Sequence, residues 1–99
     1  MTISIKDEVV PEPVGVRVTP DTLSVDLADG RTISVPLAWY PRLLHGSAEE
    51  RNRWRLIGSG RGIHWPDLDE DISVANLLDG KPSGESQQSF SAWLKRRED

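Results

Sequence analysis

The densest chemistry in this 99-residue chain lies in His64-Trp65-Pro66-Asp67-Leu68-Asp69-Glu70-Asp71, which sets an imidazole and four carboxylates close together. Oxygen ligands at alternating positions suit calcium, and a histidine beside carboxylates suits a general base. The calcium pattern fails where it is strictest. With Asp67 as the first ligand, the sixth position is Ile72 instead of glycine and the twelfth is Leu78 instead of glutamate. A hydrolytic triad needs mutual geometry, and the companions on offer to His64, Ser59 and Asp67, are near it only in sequence. A structural role competes: Asp69 or Asp71 caps the turn or the next helix, and the others pair with nearby arginines at ~0–1 kcal/mol for each exposed pair. Trp65, Asp67, Asp69, Glu70 and Asp71 then stand as candidates for contact with a partner protein. No metal or cofactor is called for.

A second constellation is basic. Arg51, Arg53, Arg55 and Arg61 occur with no acid among them and with Trp54 between two of them. Guanidinium groups bind phosphate and an indole stacks on a base, so these four are the candidates for nucleic acid. They equally suit the wet face of an element whose other face is core. Gly58-Ser59-Gly60-Arg61-Gly62 lacks the Lys-Ser/Thr of a phosphate loop and reads as a strand connection. His45 reads as a helix-end residue. Four tryptophans, at 39, 54, 65 and 93, are many for one small domain, and most of them belong in its core. The stripe Phe90, Trp93 and Leu94 follows a polar linker and is the further candidate for docking, in cis on its own sheet or in trans on another protein.

These residues must be positioned by short elements. Val14, Val16 and Val18 alternate with Gly15 and Arg17; Leu23, Val25 and Leu27 alternate with Ser24 and Asp26; Ile33, Val35 and Leu37 follow the turn pair Asp29-Gly30. That spacing predicts a three-strand antiparallel meander over roughly residues 14–37, apolar on one face and covered there by helices. Trp39, Tyr40, Leu43 and Leu44 have helical spacing with Pro41 in the first turn, and His45-Gly46 ends that helix. Ser47 and Glu50 form a capping-box pair for a second short helix, with Glu49 four residues before Arg53. One or two further short strands are expected near 54–65, where Ile63 and Trp65 face one way and His64 the other until Pro66 stops the pairing. After the acidic turn, Ser73 caps a short helix through Leu77-Leu78 that closes at Gly80. Lys81 to Gln88 reads as a linker into a terminal helix ending in Lys95-Arg96-Arg97. The expected division is 1–13 as an N-terminal arm or edge strand, 14–80 as an α+β domain, and 81–99 as linker and amphipathic helix.

Composition sets the outer bounds. Apolar residues make up 36% and charged residues 28%, which fits one globular domain with one core. The formal charge of −4 sits in the first half, where residues 1–50 carry 8 acids against 4 bases, while 51–99 carry 8 of each. A net negative field disfavours unspecific nucleic-acid binding. Cysteine is absent, so disulfides and thiolate metal sites are excluded. With no apolar run long enough for a membrane span and no basic-then-apolar pattern at the start, a cytoplasmic protein without membrane contact is expected.

The hairpin around Leu23 and Asp29-Gly30-Arg31, then Val35-Pro36-Leu37 with Tyr40-Pro41-Arg42-Leu43, Glu49-Glu50-Arg51, and above all Gly62 to Ser73 continuing into Leu77-Leu78 and Gly80, resemble the bacterial domain of unknown function (DUF) 2442 family. The resemblance covers roughly residues 14–80. It implies a small α+β domain without established catalytic activity. Members are often encoded beside another small protein and are regarded as antitoxin-like or regulatory partners, and some relatives carry a helix-turn-helix after the module. Residues 81–99 are too few for that. The expected function is therefore non-enzymatic protein interaction, with a small neighbouring protein or by self-association. A DNA-linked regulator using Arg51 to Arg61 is the alternative, and a ligand-binding or hydrolytic domain centred on His64 and the 67–71 carboxylates a further one.

Overall fold

The computed structural model describes residues 10–98. The arm or edge strand expected over 1–13 falls for the most part outside them. Pro13 already begins β1 (Pro13–Val18), which pairs antiparallel with β2 (Thr22–Leu27), and β2 in turn with β3 (Thr32–Pro36). The meander follows from the alternation, because Leu23, Val25, Leu27 and Val35 fall on one face and are buried. On the other face Ser24 bonds Ser34 (2.8 Å), while Asp26 takes Thr32 Oγ1 (2.7 Å) and pairs with Arg17. Val14 departs from the expected pattern. The register slips between Pro13 and Gly15, and the bulge turns Val14 outward, 66% exposed. Gly30 sits at φ +94°, where its N–H reaches the Leu27 carbonyl (3.0 Å), a turn that favours glycine.

A 3₁₀ turn over Leu37–Trp39 leads into α1 (Pro41–His45) and α2 (Ala48–Asn52). Both halves of the capping box at α2 are made: Glu50 N–H donates to Ser47 Oγ (3.1 Å) and Ser47 N–H to Glu50 Oε1 (2.9 Å). The second sheet is larger than expected. β4 (Arg55–Ile57), β5 (Gly62–Trp65) and β6 (Glu70–Ser73) form an antiparallel set in that order. The acidic turn therefore closes a hairpin instead of leading straight to a helix. Leu68 N–H bonds the Trp65 carbonyl (3.2 Å), Asp69 takes a left-handed φ of 50°, and Leu68 is driven fully into the core. Ser73 then caps α3 (Val74–Leu78) through Asn76 N–H (3.3 Å).

The cover over the meander is thus a second sheet together with helices, and α4 (Gln87–Glu98) completes it. Buried residues of both sheets, α1, α3 and α4 join in one cluster, with Phe90 and Leu94 packed against it. Trp93 is 4% exposed, stacks on Phe90 (5.7 Å between centroids) and lies under the guanidinium groups of Arg42 and Arg97. Arg97 also holds Glu50 (2.9 Å), so the last helix is tied down in cis. Trp65 is completely buried and gives its indole N–H to the Arg51 carbonyl (2.9 Å). As partner contacts, Trp65 and Trp93 are therefore out of reach, and Phe90 and Leu94 are largely covered, because the domain needs these side chains for its own interior.

Candidate functional site: Glu70 at the seam beside α3

β6 alternates, and alternation decides the site. In the β5–β6 register Trp65 lies opposite Glu70, His64 opposite Asp71, and Ile63 opposite Ile72. Trp65, Ile63 and Ile72 are buried, so Glu70 points to the core side of the sheet and Asp71 away from it. Sequence reading grouped these two carboxylates, and the strand separates them. Glu70 Oε1 accepts the Asp71 N–H (3.0 Å). Its Oε2 is buried and has no hydrogen-bond partner among the described residues. Burial, above all, pushes the carboxyl up from the usual 4.5 to about 7; Glu85 and Asp71 add to the rise, while the Asp71 N–H and Arg42 oppose it.

Arg42 does not neutralise Glu70, because its fork is engaged elsewhere. Its Nε donates to both oxygens of Glu85 (2.9 Å each) and Nη2 reaches Glu85 as well, while Nη1 donates to the Asp69 carbonyl (2.9 Å). This pair is well shielded, with the Arg42 and Glu85 side chains 13% and 9% exposed. The guanidinium holds Glu85 below the ordinary carboxylate range, and the Ser89 hydroxyl donates to Glu85 too (2.8 Å). Tyr40 lies close by, its phenol raised by burial and then by Glu70, with its hydroxyl donating to the Lys81 carbonyl (3.3 Å). Three carboxylates thus share the neighbourhood of one guanidinium.

Beside Glu70 lies a pocket of about 120 Å³ whose wall includes Tyr40, Ser73, Asn76, Lys81 and Ser83. The 81–84 stretch, expected as a plain linker, forms one side of it. It is pinned to the domain by Lys81 N–H to the Asn76 carbonyl (2.9 Å) and Ser83 N–H to the Trp39 carbonyl (3.1 Å).

The other candidates separate. Asp67 pairs with Arg53 (3.0 Å), Asp69 with Arg42 (3.4 Å), and Asp71 with His64 on the outer side of the sheet. Among the described residues no three such groups come together to hold a metal ion. His45 packs edge-on against Phe90 and Trp93. The basic stretch does not act as one field either. Arg51 donates to the Leu43 and Leu44 carbonyls (2.8 and 2.6 Å) that end α1, and Arg53 lies between Glu49 and Asp67, leaving Arg55 and Arg61 on the surface. Tyr40, Arg42 and Glu85 escaped sequence reading as site residues. The signal for Glu70 was its two-residue spacing from Ile72, hidden because a charge held the inward position.

The model of the family described as "Protein of unknown function (DUF2442)" matches residues 13–83. A crystal structure of a protein of unknown function from Rhodospirillum rubrum ATCC 11170 superposes with a TM-score of 0.65 at 26% identity, covering 78% of this chain and 95% of that one. The solution structure of the uncharacterized protein CV0863 from Chromobacterium violaceum shares the fold, with a TM-score of 0.63 at 19% identity over 82% of this chain and 74% of that one. No curated protein matches significantly. Among the described residues no helix is long and apolar enough to cross a membrane. The matched span holds both sheets and the Tyr40, Arg42 and Glu70 neighbourhood, and the chain belongs to the DUF2442 family.

Proposed function

We propose that this protein is a non-enzymatic interaction module, an antitoxin-like or regulatory partner of a small protein encoded beside it in the cytoplasm, and that it meets that partner at the seam around Glu70. The observation that supports this reading is the buried, unpartnered Glu70 Oε2 beside a small polar pocket. An acceptor without a donor inside a protein is costly, and a partner that supplies the donor recovers that cost on binding. The groups that proton transfer or hydrolysis would need are dispersed: His64 and Asp71 pair on the face of the sheet opposite Glu70, and His45 is packed among aromatic rings. Helix α4 turns its aromatic side to its own domain, so the contact proposed is the seam and not that helix.

The test is amide-shift mapping of the labelled full chain against the product of the adjacent reading frame. Perturbations gathered on Tyr40, Asn76, Ser83 and Gly84 are the expected result. Absence of binding, or perturbations confined to the outer face of the first sheet at Arg17, Ser24 and Ser34, overturns the proposal.

A further inference from the structure

Resting on that reading, we infer that the pocket beside Glu70 receives one protonated nitrogen group, the guanidinium or ammonium head of a basic side chain on the partner protein. The charges facing it on every side argue for a cation. Arg42 has its Nε and Nη2 on Glu85 and its Nη1 on Asp69, so its donors are drawn away from Glu70. Lys81, on the pocket wall, extends its ammonium outward to 3.9 Å from Asp79 with its side chain 66% exposed. Beyond β6, Asp71 faces His64 across the sheet. Glu70 is therefore an acceptor with no cation of its own, in a neighbourhood that already holds an excess of carboxylate.

The rim offers acceptors as well. Ser73 Oγ already accepts Asn76 N–H, Ser83 Oγ already accepts Glu85 N–H, and Tyr40 has turned its O–H to the Lys81 carbonyl, so the remaining lone pairs of all three oxygens can accept. Guanidinium and ammonium, with several N–H donors and no acceptor, can bond to these oxygens. The recess, about 120 Å³ and partly open to solvent, has room for a side-chain head.

The probes are methylguanidinium and methylammonium chlorides, titrated at constant ionic strength into the labelled full chain at about pH 8, where Glu70 is ionised. The expected result is a saturable shift of the Asn76, Ser83 and Gly84 amides. It weakens roughly tenfold or more in Glu70→Gln, as for a lost charge-assisted bond, and is not reproduced by neutral methylurea. No saturable response, which means that the pocket holds water only, overturns the inference. An equal response to methylurea, or one that survives Glu70→Gln, does the same. Lys81→Met is expected to leave the response unchanged; a strengthening of about tenfold shows that Lys81 is itself the occupant and also overturns it. The partner separates this inference from the reading beneath it. If the partner binds the seam equally well with Glu70→Gln, the cation falls and the interaction module stands. If the two cations bind but the partner leaves the seam untouched, the interaction reading falls, and with it the partner as the source of the cation.

Discussion

Glu70→Gln removes an inward-facing carboxylate while keeping its shape, and glutamine retains an oxygen to accept the Asp71 N–H that now reaches Glu70 Oε1. The folded chain raises this carboxyl from the usual 4.5 to about 7. The folded state therefore holds a proton that the unfolded chain releases between those values. The stability linked to that proton is complete below the usual 4.5 and is lost as pH rises through about 7. At about 1.4 kcal/mol per pH unit, the parent loses ~2–3 kcal/mol across this window on account of Glu70 alone, and the glutamine variant does not. Urea unfolding of both proteins at about pH 5 and about pH 8 measures it, because the difference between variant and parent cancels the other titrating groups. The expected outcome is a variant that gains ~2–3 kcal/mol on its parent between the two conditions. A difference of the same size at both pH values refutes the reasoning, since it means that Glu70 ionises as freely in the fold as out of it.

Other substitutions test the packing that holds the seam. Trp93→Ala empties a site between Phe90, Arg42 and Arg97 and is expected to cost about 3–5 kcal/mol, a large part of the stability of a domain this size, read as a fall in thermal midpoint. Ser47→Ala opens the capping box of α2 and is expected to cost ~1 kcal/mol in urea unfolding, more than Ser47→Gly. Arg97 is the main cause that pulls Glu50 down to about 2, so the stability from Glu50 is present above the usual 4.5 and is lost as pH falls toward 2. In Arg97→Gln the Glu50 carboxyl, followed by its carbon resonance, is expected to titrate nearer the ordinary carboxylate range.

Much of this fold could be read directly because its local signals agree. The two-residue spacing of Leu23, Val25 and Leu27, the Ser47 to Glu50 cap and the Ser73 cap each depend on neighbours within one element, and all three form as expected. β6 was missed because its inward face begins with Glu70, so the apolar alternation that marks a strand is broken at the residue with the least ordinary environment. The clasp between Arg42 and Glu85, and that between Glu50 and Arg97, join residues far apart in the chain, and only the docking of the 81–98 stretch onto the domain brings them together. The terminal stripe announced that Phe90, Trp93 and Leu94 share a face. What would cover that face was a tertiary question, answered by a core that takes Trp93 for itself.

The most direct measurement is the titration of the Glu70 side-chain carboxyl in the full-length chain by carbon resonance, alone and with methylguanidinium present. A midpoint near 7 that moves downward when the cation is added agrees with a buried acceptor waiting for a positive donor. A midpoint near the usual 4.5, unmoved by the cation, contradicts it.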